Sequence, residues 1–215
     1  NFKNLSLLET KFKSLKTEQG VEYKFINNDL SGKLLVPEDE KRNLSFKLDF
    51  IKINQSSTGS IDGFLPLYNG IKDEFYFSTD AIFLNGKNYG KWEFSILPED
   101  SKLTLYDIKG VYGKWGLKDN KEGVSSLQVI KNTLGWTSKL KTNIYSGSPE
   151  KAMTQIGIKP NFELDTLSLD ADLTWNNLPW LFDYNLIKGE ITTNLDGLTI
   201  KNSKDLETPN NLLRL

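Results

Sequence analysis

A chain of 215 residues with 38% hydrophobic content, 27 basic and 28 acidic residues can build one large β domain or two small ones, and it carries no basic surplus for nucleic acid. It has no cysteine and no histidine, which removes disulfides, thiolate chemistry, the commonest metal ligands and any Ser-His-Asp triad. No apolar run approaches the roughly 20 residues of a membrane-spanning helix, and the chain opens on Asn1 without a signal-like stretch.

Most of the chain alternates apolar and polar residues with a period of two, which is strand patterning. Leu5 to Leu15 mixes apolar and lysine positions and suits an edge strand or a strand pair. Val21, Tyr23 and Phe25 alternate with Glu22 and Lys24, and Asn27-Asn28-Asp29 then turns the chain. Leu30, Gly32, Leu34 and Val36 form the next set, stopped by Pro37 and the charged loop from Glu38 to Arg42. Leu44, Phe46, Leu48 and Phe50 alternate, after which Ile51 and Ile53 move the apolar phase to the other parity. That shift implies a bulge near Phe50 or a strand end covered on both faces.

Gln55 to Gly63 is Ser/Thr/Gly-rich and reads as a loop. Phe75 and Phe77 with Ala81 to Leu84 form the next expected pair, followed by the turn Asn85-Gly86. Trp92, Phe94 and Ile96 follow, ended by Pro98. The series continues with Leu103 and Leu105, with Val111, Gly113 and Trp115, with Val124 to Ile130, and with Trp136 to Ile144. One short helix interrupts it, capped at Ser148, opened by Pro149 and stopped at Gly157. Leu167, Leu169, Ala171, Leu173 and Trp175 then alternate with Ser168, Asp170, Asp172 and Thr174 in the clearest strand of the chain. Beyond Asn176-Asn177-Leu178-Pro179, Ile187, Ile191 and Leu195 share a face, and Asp196-Gly197 suits a hairpin turn.

Thr208-Pro209 has the form of a helix start, with Leu212, Leu213 and Leu215 as its first apolar face. The expectation is a segment of a longer protein. The fold class is all-β: a long antiparallel sheet of a dozen or more strands, with a short helix near 148–157, a helix starting at 209, and one β-rich segment over 1–215 without an internal boundary.

Chemistry-bearing motifs are few. Gly90-Lys91-Trp92 and Gly113-Lys114-Trp115 repeat a tripeptide, best read as tryptophans on the apolar faces of strands entered through glycine turns. Asp170 and Asp172 share a strand face, as a glycosidase pair would need, but that face is the polar one and reads as solvated. There is no phosphate-binding loop, nucleophile elbow or calcium loop, so no enzyme, cofactor or metal is expected. Exposed aromatics on a sandwich would make a carbohydrate-binding module, and a closed core would make a structural or assembly module.

Several motifs together resemble the C-terminal portion of AsmA-like envelope proteins. They are the helix end Ile156-Gly157 with Pro160, the strand Leu169 to Trp175, then Pro179 and Phe182, and Gly189-Glu190-Ile191 on the return strand. Leu30-Ser31-Gly32-Lys33-Leu34-Leu35-Val36-Pro37 resembles the family's turn into a strand, Gly90-Lys91-Trp92 its Gly-x-Trp, and Asn211 to Leu215 the start of its following helix. Asn177 departs from the family's usual glycine, and Gly189 to Gly197 is shorter than usual.

The resemblance implies a twisted, bent sheet whose concave face is a hydrophobic groove. It also implies a place in the periplasm of a Gram-negative bacterium, an inner-membrane anchor outside this segment, envelope protein partners, and phospholipid acyl chains as cargo. The patterning is compatible, since an apolar face on many strands must be covered by a second sheet, by helices or by lipid, and one short helix covers little. The residues expected to line such a groove are Val21, Tyr23, Phe25, Leu44, Phe46, Leu48, Trp92, Phe94, Ile96, Leu167, Leu169, Ala171, Leu173 and Trp175.

Overall fold

The computed structural model describes residues 9–39, 42–53, 73–119, 123–133, 135–179, 181 and 184–200. The loop expected at Gln55 to Gly63 and the helix expected from Pro209 lie outside them. The alternating stretches become β1 (Lys11–Thr17), β2 (Gly20–Ile26), β3 (Leu30–Pro37), β4 (Leu44–Ile53), β5 (Phe75–Thr79), β6 (Ile82–Leu84), β7 (Lys87–Asn88), β8 (Lys91–Glu99), β9 (Lys102–Tyr112), β10 (Trp115–Lys118), β11 (Ser126–Asn132) and β12 (Gly135–Ser146). The helix α1 (Pro149–Gln155) follows, then β13 (Phe162–Glu163), β14 (Thr166–Trp175), β15 (Lys188–Asp196) and β16 (Thr199–Ile200).

Among the described residues, fourteen strands form one sheet with the path β1-β2-β3-β4-β5-β8-β9-β10-β12-β14-β15, so the protein is all-β. Neighbours along this path pair antiparallel where the connection is a tight hairpin: Glu18-Gln19, Asp100-Ser101 and Gly113-Lys114 are two-residue loops. The last of these corrects the sequence reading. Val111, Gly113 and Trp115 are not one strand, because the chain reverses at Gly113 and leaves Val111 and Trp115 on opposite faces.

Two further departures from a simple meander matter. β5 and β6, expected to pair with each other, both pair parallel with β4, one beside each half of it. They behave as one strand broken at Thr79–Ala81, where the Thr79 hydroxyl donates to the Ala81 carbonyl at 3.1 Å. A parallel pair cannot be joined by a tight turn, and here 21 residues lie between Ile53 and Phe75. The turn after Asp196 also does not close a hairpin onto β15: β16 pairs instead with β13 in a separate two-stranded sheet.

The expected bulge is present. Ser31 faces Phe50 and Gly32 faces Leu48, so Asp49 is the extra residue, and Ser31 holds its carboxylate at 2.6 Å. A second bulge stands at Asp107, with φ 52, where the pairing of β8 with β9 slips between Glu93 and Ser95. It moves the apolar phase of β9 from Leu103 and Leu105 to Ile108 and Gly110. Helix α1 ends as expected at Gly157, with φ 86. The Gly157 and Ile158 amides donate to the Thr154 and Met153 carbonyls at 3.0 and 2.9 Å, a Schellman closure that needs a left-handed residue at this position.

Candidate functional site

Cross-strand partners share a face, so the pairing registers show how the apolar residues line up. One row crosses eleven strands: Phe12, Phe25, Gly32, Leu48, Thr79, Trp92, Gly110, Leu117, Ile144, Leu169 and Thr193. A second row carries Leu44, Phe75, Ile96, Leu105, Leu127, Leu140, Leu173 and Gly189 across eight. Between them lie Tyr23, Leu34, Phe46, Phe77 and Phe94. All fourteen residues singled out in the sequence fall on this one face. With strands 4.7–4.9 Å apart, the stripe follows a contour of roughly 50 Å.

The stripe is not uniform. At one edge the connection after β14 folds over it: Leu178 is fully buried against Leu103 and Val129, with Ile96, Leu105, Leu127 and Trp136 around them. The Trp175 indole donates to the Leu178 carbonyl at 3.2 Å, and the Ser138 hydroxyl to the Asn177 carbonyl at 2.7 Å. At the opposite edge α1 lies on the same face. The Trp115 indole donates to the Ala152 carbonyl at 2.9 Å, and Ala152 is fully buried.

Elsewhere the face is half-covered. Val21, Phe25, Leu44, Phe46, Trp92, Phe94, Ile96, Leu169 and Leu173 are half-buried, and Tyr23 is exposed. Leu48, Leu167, Ala171 and Trp175 are buried by protein and offer little surface to a ligand. Packing within the open part is aromatic, with Phe77 stacked on Phe94 at 4.9 Å and Phe46 edge-on to Phe75 at 5.8 Å. Trp92 lies flat over Gly110, where a Cβ would meet its ring at 2.5 Å, and its indole donates to the Tyr89 carbonyl. Both tryptophans of the repeated Gly-Lys-Trp tripeptide thus lie on this face.

Polar groups interrupt the stripe where β10 and β11 fill, end to end, the slot between β9 and β12. There the buried Ser125 hydroxyl donates to the Thr142 hydroxyl at 2.8 Å, and Thr142 donates to the Lys118 carbonyl. These bonds satisfy groups that would otherwise be costly to bury. At the rim beside α1, the Tyr89 and Tyr112 rings stack at 5.2 Å with the Lys87 ammonium over both. Its hydrogen bond holds the Tyr112 hydroxyl below the usual phenol range and raises Lys87 itself.

The opposite face is polar. Asn143 donates to Ser168 and Asp170 at 2.7 and 2.8 Å, and Asp172 is exposed. Among the described residues no helix is long and apolar enough to cross a membrane, and no cluster of metal-ligating side chains occurs. No family model matches this chain, and no significant match to it was found among curated proteins or solved structures.

Sequence reasoning missed Leu178 and Ala152, the two residues that press connecting segments onto the stripe. Leu178 sits in a turn-rich stretch and Ala152 in a seven-residue helix, so neither carries the alternation that marked the strands. It also passed over Leu105, Leu127 and Leu140, which the same alternation marks and the register then aligns.

Proposed function

We propose that this chain is a non-enzymatic, lipid-carrying segment of an AsmA-like envelope protein, within that group nearest to YhdP, whose apolar sheet face holds phospholipid acyl chains. The observation that supports this reading is the run of half-buried apolar side chains Leu34, Phe46, Phe77 and Phe94 across four neighbouring strands, in register and facing one way. That open run spans about 15 Å, comparable to one leaflet of a 30 Å hydrocarbon core, so it matches the length of an acyl chain. Each buried methylene contributes about 0.8 kcal/mol without directional contacts, so an acyl chain can be held and still slide. Headgroups would stay in water at the rim, and no cofactor is needed. The setting is the periplasm of a Gram-negative bacterium, with cargo passing between inner and outer membranes and an inner-membrane anchor elsewhere in the full protein.

Native mass spectrometry of the protein purified from bacteria tests this directly: phospholipid adducts are expected. A photoreactive residue at Leu169 or Phe46 should crosslink to lipid, and Leu169→Asp should abolish the adducts while the far-ultraviolet dichroism of a β protein is retained. Absence of lipid in both measurements, or unfolding by Leu169→Asp, would instead favour a closed structural or assembly module. The buried Leu103–Val129–Leu178 cluster is the observation that favours that second reading. A carbohydrate-binding platform has weaker support, since no tryptophan among the described residues is exposed.

A further inference from the structure

The hairpin β1–β2 presents large apolar side chains to solvent on both of its faces. Phe12 and Tyr23 stand on the apolar side, 71% and 41% exposed, and Leu15 and Ile26 stand on the polar side, 50% and 52% exposed. Apolar groups are therefore uncovered on both faces of the same edge hairpin. The polar side also carries a register-aligned row of lysines. Lys13 faces Lys24, Lys24 faces Lys33 and Lys33 faces Lys47, with Lys11 beside the row. Like charges placed directly opposite one another on neighbouring strands destabilise a sheet. One carboxylate beside the row relieves them: Glu22 holds Lys33 at 2.8 Å and Lys24 at 3.4 Å. The nearby Asp49 carboxylate accepts from the neutral Ser31 hydroxyl and keeps its own negative charge, so five lysines stand against two carboxylates here. The chain as a whole has a net charge of −1, so this is a local concentration of charge and not a property of the composition.

We infer that the β1–β2 hairpin docks on an anionic phospholipid bilayer. Lysines interleaved with exposed aromatic and aliphatic side chains are the chemistry of an interfacial segment: the cations meet phosphate headgroups while the apolar groups enter the acyl boundary. The two-sided exposure favours a bilayer over a protein. A second sheet would cover one face of the hairpin, whereas headgroups and upper acyl carbons can surround an edge from both sides. Docking has to be shallow, because among the described residues β1 is an edge strand, and outward amides and carbonyls need water or headgroups as partners. The long lysine stems let their ammonium groups stay at that depth. The inference does not rest on the acyl-chain reading of the stripe.

Flotation of the full chain with vesicles tests it. The protein should float with vesicles of phosphatidylglycerol and phosphatidylcholine, fail to float with phosphatidylcholine alone, and lose most of its retention when salt is raised to about 0.5 M. Joint Lys11→Glu and Lys13→Glu should reduce retention by at least about tenfold. Joint Phe12→Ser and Leu15→Ser should reduce it on the same vesicles without changing the salt dependence. Circular dichroism identifies a variant that fails to fold, and Lys11→Gln with Lys13→Gln then serves as the milder charge test. Equal retention on both vesicle types, or retention unmoved by both sets of substitutions, overturns the proposal. So does concentration-dependent self-association that Phe12→Ser abolishes, since it would make a second copy the occupant. Native mass spectrometry of the lysine variants separates the two readings, because cargo lipid should persist in them when vesicle docking is lost.

Discussion

Two regions of the sheet, β12–β14 and the hairpin β1–β2, are written in the same alternating code and end up in different physical states. At β12–β14 the connecting segments are long, and two of them fold back onto the apolar face, burying Leu178 on one side and Ala152 on the other. At the β1–β2 end the strands are joined by a two-residue hairpin, which has no atoms to spare for covering a face, and Phe12 is left 71% exposed. Alternation decides which side chains share a face. The length of the connections decides whether that face becomes core. Burial is therefore confined to part of β12–β14, while β15 beyond it is exposed along its whole length, as Phe12 is at the other end, although no single strand pattern distinguishes these regions.

The contrast can be broken most directly by comparing Leu178→Ala with Phe12→Ala. Removing Leu178 takes a fully buried side chain from the Leu103–Val129 cluster and should cost about 2–5 kcal/mol in urea unfolding. Phe12→Ala, at a solvated edge, should fall within about 0.5 kcal/mol of the parent. Comparable losses at the two sites would mean that the β1 end is also core, and the distinction would fail.

Helix α1 gives a second, smaller test. Trp115→Phe keeps the ring but removes the donor to the Ala152 carbonyl, and should cost about 1–2 kcal/mol. Hydrogen exchange should show the loss locally, with amides of α1 and the start of β14 exchanging faster and those of β1–β4 unchanged. Uniform acceleration through the whole sheet would mean that the helix is part of the global folding unit and not a local cover.

These tests also mark how far the sequence could be read. The strands, the bulge near Phe50, the helix ended by Gly157 and the common face of Leu167, Leu169, Ala171, Leu173 and Trp175 were all legible, because each is written in local spacing or in one residue's backbone demands. The parallel pairing of β4 with β5 and β6 was not, since a long connection leaves the partner's direction open. Nor was the pairing of β16 with β13, which brings together two residues from each of two distant segments. Of the candidate site, face membership was legible at every position, but coverage was not. Leu48 and Leu44 alternate identically in β4, yet Leu48 is buried and Leu44 half-buried, and that difference comes from neighbours on other strands.

The smallest expected effect is also the sharpest probe of the β1–β2 end. Glu22 is the carboxylate beside the lysine row, and its hydrogen bond to Lys33, assisted by Lys24, holds its carboxyl below the usual range. A depressed carboxyl contributes stability that is present above its unfolded pKa, near 4.3, and is lost as pH falls through its folded pKa. Because the lysines are exposed and screened, the contribution is about 0.2–1 kcal/mol. Glu22→Gln should therefore lower the urea midpoint slightly at pH 7, and the gap to the parent should close as pH falls through the carboxylate range. The same substitution raises the net charge of the row by one, so it should strengthen retention on anionic vesicles while weakening the fold. A variant that loses both stability and retention would show that the shape of the hairpin, and not its charge, is what the bilayer reads.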